Sequence, residues 1–235
     1  MERKTAKELH ADVEHLREDG HPQESLKIAE EAKNAYIEEN NMLGLSDLYG
    51  SISLAYRHLG DFKGAITAAE ESVKIAKEND LKGDISRPLF NLAKVQEDEG
   101  EFSKAAETYK ESVLIFKTGD PKLHNRSGVL ADMNIHLATC EYKAGDKNGL
   151  KRALDAIKDL ENSDERDILK YNYIVWLSGA YMRIASMLQN DNHEMAVKYL
   201  NTAKTIINDN IVELPNLEIR KGQWEKIAQR ISPNE

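Results

Sequence analysis

Seven histidines, one cysteine and 41 carboxylates make up the chain's chemically active side chains, and their spacing forms few recognisable sites. His10 and Glu14 are one helical turn apart with His15 beside them, which offers ligand types suited to zinc. A zinc centre takes three or four protein ligands, so this group falls short and no metal is expected. His193-Glu194 opens like a helical zinc motif, but the second histidine is missing. There is no glycine-rich phosphate loop and no paired cysteines. Cys140 falls in the slot that Ala55 and Val95 hold in two earlier segments. That reads as a packed thiol, because no histidine is placed by sequence to activate it. His58 and His136 read as helix-surface or lining residues. The expectation is a non-enzyme with no catalytic residue and no cofactor.

The elements that hold these residues come from a repeat. Gly60, Phe62, Ala65, Glu71, Ser72, Val73, Ile75, Lys77 and Asp80 return forty residues on as Gly100, Phe102, Ala105, Glu111, Ser112, Val113, Ile115, Lys117 and Asp120. A unit of this size cannot bury its apolar face alone and stacks on copies of itself. Tyr49, Ile52, Tyr56 and Leu59 share one helical face. Gly60-Asp61 then closes that helix, and a second follows with Phe62, Ala65, Ile66, Ala69, Ser72, Val73 and Ile75 inward. The next unit repeats the grammar from Leu89 to Val113. Each unit is a helical hairpin whose small residues let the two backbones approach.

At Tyr49, Ile52-Ser53, Tyr56, Gly60-Asp61-Phe62, Ala65, Ala69 and Ser72 the chain resembles the tetratricopeptide repeat family. It departs from the pattern in carrying Ser53 or Ala93 where the family has glycine, in lacking a closing proline, and in a period of forty residues against about 34. Longer units with a glycine ahead of the next first helix (Gly44, Gly83, Gly128) look like those of polarity adaptors and bacterial pheromone receptors. The resemblance implies an all-α, right-handed α-α superhelix of about five hairpins plus a capping helix. It would run as one solenoid over 1–235, with repeats at roughly 3–40, 41–80, 81–120, 121–162 and 164–210, and the cap at 215–232.

The outer units follow from the same period. Gly20 stands forty residues before Gly60, Pro22 suits a first helical turn, and the polar segment from His10 to Glu18 suits an end cap. Pro88 predicts either a helix starting near Ser86 or a kink there. Gly100 to Gly145 is longer than the period, which places an insertion between Pro121 and Gly128. A long helix carrying Ile168, Tyr171, Val175 and Trp176 opens the fifth unit, and Asn190-Asp191-Asn192 replaces its glycine turn. The count is eleven helices and no strand.

Composition narrows the function. A net charge of −9 argues against a general nucleic-acid binder. A single cysteine excludes an internal disulfide, and MERKTAKELH has no apolar signal region. No stretch reaches membrane-spanning length, so a cytoplasmic protein without membrane or nucleic-acid partners is expected. The resemblance implies a concave groove lined by first helices. Its ligand-facing positions fall on Leu54, Arg57 and His58, on Arg87, Phe90, Lys94 and Glu97, on Thr139, Tyr142 and Lys143, and on Tyr181. The co-chaperone carboxylate clamp is absent, because its positions read His10, Glu14, Gly50 and Leu54. The repeat begins by residue 9, which leaves no room ahead of it for a DNA-reading helix pair. The reading is a non-catalytic scaffold holding a peptide or helical segment of a protein partner. Arg57, Arg87 and Lys94 suggest an acidic segment with an apolar anchor. The alternative is a peptide or small-molecule sensor with its site inside the superhelix.

Overall fold

A computed structural model describes residues 4–81, 85–119 and 126–232. Gly83, Asp120 and the insertion from Pro121 to Asn125 lie outside the described residues. The chain divides into two compact units, Met1–His124 and Asn125–Glu235. Among the described residues there are twelve helices and no strand.

The first unit holds three hairpins: α1 (Ala6–Glu18) with α2 (Pro22–Glu38), α3 (Met42–Leu59) with α4 (Phe62–Glu78), and α5 (Ser86–Asp98) with α6 (Phe102–Thr118). Local chemistry sets the ends. Thr5 and Glu8 form a capping box at α1, while Asn41 and Asp61 accept the Gly44 and Gly64 N–H groups at α3 and α4, each at 2.9 Å. Gly60 closes α3 at φ 75°, the left-handed region that costs glycine little. Asn40 and Asp80, forty residues apart, take the same region after α2 and α4. Helix α5 starts at Ser86, so Pro88 sits in its first turn, where its missing N–H is harmless.

Within each hairpin the small residues pack as the pattern predicts: Ala29, Ala32, Ala65, Ala69, Ala93 and Ala105 are all buried. The serines do more than fill space. Ser72 Oγ donates to the Ser46 carbonyl at 2.6 Å, and Ser112 Oγ donates to the Ser86 carbonyl at 2.7 Å. Ser53 Oγ donates to the Ala65 carbonyl at 2.8 Å. These bonds satisfy buried hydroxyls that would otherwise be costly. The hairpins also stack, since α2 packs on α3 and α4 on α5. Gly44 is not ahead of α3 but in its first turn; a Cβ there would lie 2.2 Å from Tyr36 Cε1, so only glycine admits that ring.

The second unit holds α7 (Ser127–Lys143) with α8 (Gly149–Glu161), then a short α9 (Glu165–Ile168), α10 (Lys170–Leu188) with α11 (His193–Asn210), and α12 (Leu217–Ile231). Helix α9 is the twelfth, and the pattern missed it. It breaks the expected long helix before Lys170, leaving Ile168 73% exposed instead of on the apolar face. The break lies at Leu169, whose backbone is non-helical at φ −136° and ψ 57°. In α9 the buried carboxylate of Glu165 accepts the Gly128 N–H at 2.9 Å and so caps α7 from a distant segment. Glu39 does the same for α1, accepting the Ala6 N–H at 3.1 Å. Asn192 caps α11 by accepting the Met195 N–H. Ile231 of α12 is buried, and Trp224 donates to the Leu200 carbonyl at 2.8 Å, so α12 covers α11.

Candidate functional site

In the first unit the site is built by three helices that each open a hairpin, α1, α3 and α5. Three- and four-residue steps line up Asp47, Ser51, Leu54 and His58 on α3, and Arg87, Asn91, Lys94 and Asp98 on α5. Their side chains meet across helices. Arg87 Nη2 lies 3.5 Å from Glu14 Oε1 of α1, and its Nη1 lies 3.7 Å from Asp47 Oδ1 of α3. One guanidinium on α5 therefore reaches both earlier first helices, and all three share a face. Glu14 also accepts from Ser51 Oγ at 3.5 Å. Arg57 pairs with Asp98, and Lys94 Nζ stands 4.3 Å from the centre of the Phe90 ring. Phe90 itself is half-buried and packs on Tyr109, ring centres 5.2 Å apart.

Two histidines border this face. His10 is buried, with Nδ1 at 3.1 Å from Tyr36 Oη and Nε2 at 3.0 Å from Ser51 Oγ. Burial pulls its imidazole below the ordinary histidine range, and Arg87 acts in the same direction while Glu14 and Asp47 oppose it. His58 is held low by burial first, then by Arg17 and Arg57, although it bonds to the Arg17 backbone. Both therefore tend toward the neutral form.

The structure thus brings Leu54, Arg57, His58, Arg87, Phe90 and Lys94 to one region, but corrects three expectations. Arg57 and Arg87, expected to meet an acidic partner segment, each face carboxylates of the chain itself, so the face is zwitterionic. Glu97 turns into its own hairpin, where it is buried and accepts from Tyr109 Oη at 3.1 Å. His10, expected within a polar end cap, is instead buried with Nε2 on Ser51 Oγ, and Glu14 faces Arg87.

In the second unit the register slips. Thr139 is fully buried and returns its hydroxyl to the Ile135 and His136 carbonyls at 3.0 Å, so it lines nothing. Tyr142 is also buried, its hydroxyl on Asp191 and its ring 4.1 Å from Lys147 Nζ. Tyr181 faces the second helices: its hydroxyl donates to Glu161 at 3.0 Å and its ring stacks on Tyr199. Burial and then the Glu161 charge push its phenol up. Lys143 is half-buried.

The polar contacts between the first helices here involve different residues. Arg183 of α10 donates to His136 Nδ1 of α7. The other ring nitrogen of His136, Nε2, lies 3.9 Å from Asp132 Oδ1. Arg220 of α12 approaches Gly179, where a Cβ would stand 3.5 Å from Nη1. Burial pulls its guanidinium below the ordinary arginine range, Arg183 adds to this, and Asp132 and Tyr171 oppose it. Nothing in the sequence marks Arg183 or Arg220, since their meaning depends on how α10 and α12 pack.

A repeated helical hairpin with Gly-Asp turns, buried small residues and a shared first-helix face defines a helical repeat protein. Residues 46–79, within the α3–α4 hairpin, match the tetratricopeptide repeat model. Over 115 residues it is 30% identical to the outer dynein arm-docking complex subunit 4 of Homo sapiens, a match covering 46% of this chain and 17% of that protein. The Mus musculus protein gives the same identity with 18% covered, so the chain spans less than a fifth of the curated relatives it matches. Among solved structures, BtubC (BKLC) from P. vanneervenii is similar at a TM-score of 0.64 and 18% identity, covering 85% of this chain and 78% of that one. Aspartyl phosphate phosphatase F from Bacillus subtilis gives a TM-score of 0.67 at 13% identity, covering 97% and 59%. At such identities the likeness is one of fold. No helix among the described residues is long and apolar enough to cross a membrane.

Proposed function

We propose that the chain is a non-catalytic interaction scaffold that holds a peptide or helical segment of a protein partner on the α1–α3–α5 face. The observation that carries this is Arg87, which joins Glu14, Asp47 and its own helix on one surface. Such a face can recognise a peptide because its charges are already positioned. Exposed ion pairs contribute little by themselves, so a partner's charged groups replace them at small cost while Leu54 and Phe90 receive apolar side chains. The zwitterionic character favours a partner with both charge signs over a purely acidic one. The relative's name, a subunit of a docking complex, fits a role in protein assembly.

The test starts with a peptide selected on the full chain from a displayed random library. Arg87→Ala with Lys94→Ala should raise its Kd at least tenfold, about 1.4 kcal/mol. Lys74→Ala with Lys77→Ala, on α4, should change it less than about twofold. Equal weakening by both pairs would overturn the assignment.

A further inference from the structure

On the side of α3 away from that face, a cleft of about 580 Å³ opens between α2 and α4, within the size range of ligand sites. Tyr49, Ile52 and Tyr56 of α3 form its floor, Glu30 stands on the α2 wall, and Thr67 and Glu71 stand on the α4 wall. Asp61 and Lys63 close one end. The lining thus carries three carboxylates against one ammonium. We propose that this cleft binds a basic peptide segment, an arginine or lysine side chain entering between Glu30 and Glu71 onto the tyrosine floor.

The walls are suited to exchange. Glu30 holds Lys33 at 3.1 Å and Glu71 holds Lys74 at 3.3 Å, both as pairs one turn apart on the surface. Such pairs are weak, so an incoming cation displaces the resident lysines without leaving a buried charge behind. Asp61 spends Oδ1 on the Gly64 N–H. The floor adds the ring faces that attract cations. Lys33 already feels this field: its ammonium is held above the ordinary lysine range, chiefly by the Glu30 bond, with Tyr49 adding to it. Gly64 keeps the cleft open beside Tyr56, since a Cβ there would lie 2.9 Å from Cδ1 of that ring. Forty residues on, the matching positions are Leu89, Leu92, Gln96 and Lys104, so the next hairpin lacks this floor and opening. The cleft belongs to this hairpin, and it stands on side chains other than those of the proposed peptide face.

Fluorescence anisotropy of a labelled alternating Arg-Ala peptide on the full chain tests this, with a Glu-Ala peptide as the opposite-charge probe. Glu30→Gln with Glu71→Gln should weaken the Arg-Ala peptide at least tenfold, and Tyr49→Leu at least threefold. Glu31→Gln with Glu78→Gln removes the same charge elsewhere on α2 and α4 and should cost less than twofold. Arg87→Ala should leave this peptide's affinity unchanged, which separates the cleft from the first-helix face. Equal losses in the two glutamate pairs would mean diffuse attraction to an acidic protein and would overturn the proposal. So would absence of binding to the unaltered chain.

Discussion

Replacing Glu165 by alanine removes the cap that α7 borrows from the short helix α9. The carboxylate is 6% exposed, accepts the Gly128 N–H at 2.9 Å, and lies 3.5 Å from Arg126 Nε. Its fit is close, because a Cβ on Gly128 would fall 2.6 Å from Oε2. A hydrogen bond to a charged group contributes about 1.5–3 kcal/mol, and loss of a helix cap costs about 0.5–2 kcal/mol. The Arg126 end is 47% exposed and adds little. The expected loss is therefore about 2 kcal/mol, roughly a thirtyfold fall in the folded-to-unfolded ratio. Glu165→Gln keeps an acceptor without the charge and should lose about half as much. Both tryptophans, Trp176 and Trp224, lie in the second unit, so their emission during urea unfolding reports on that unit alone. Asp167→Ala, at a side chain 86% exposed, is the control. A Glu165→Ala transition within about 0.5 kcal/mol of the parent would refute the capping argument.

Acidification should destabilise the first unit through His10 and His58, whose imidazoles are depressed in the fold. The unfolded chain then binds more protons as pH falls below about 6.5, so stability present above that value is lost through the folded-state pKa values. Urea midpoints by circular dichroism should fall on acidification, and His10→Gln with His58→Gln should flatten that slope; an unchanged slope would contradict it. Removing residues 213–235 strips α12 from α11 and exposes the apolar surface around Leu200 and Ile207, so light scattering should report self-association; a stable monomer would refute the covering role. Cys140 is fully buried, so it should resist a thiol reagent in the folded chain and react on unfolding, and Cys140→Ala should retain peptide binding. Fast modification of the native protein would refute this.

The hairpins were legible because their signals are local. Gly20, Gly60, Gly100 and Gly145 all adopt positive φ, and the small residues around them are buried as the spacing requires. What the pattern could not show was direction. Ser72 and Ser112 repeat visibly, but that they donate to carbonyls 26 residues away follows only from the packed hairpin. Glu97 falls on a groove position in the family register, whereas Tyr109 draws it inward. In the second unit Thr139 returns its hydroxyl to its own helix and Tyr181 turns to Glu161, while Asp132, His136 and Arg183 meet between α7 and α10, which only the packing shows. Helix α9 escaped notice because four residues carry no periodicity, and the Glu165 cap joins segments 37 residues apart.

The claim that a partner lies on the α1–α3–α5 face is tested most directly by site-specific cross-linking. A photoreactive phenylalanine analogue replaces Leu54, Phe90 or, on α6, Leu114, whose side chain is 61% exposed. Each full-length variant is irradiated with the library-selected peptide, and adducts are quantified by mass spectrometry. The account predicts adducts at positions 54 and 90 and none above background at 114. Adducts at 114 alone, or equal yields at all three positions, would contradict it.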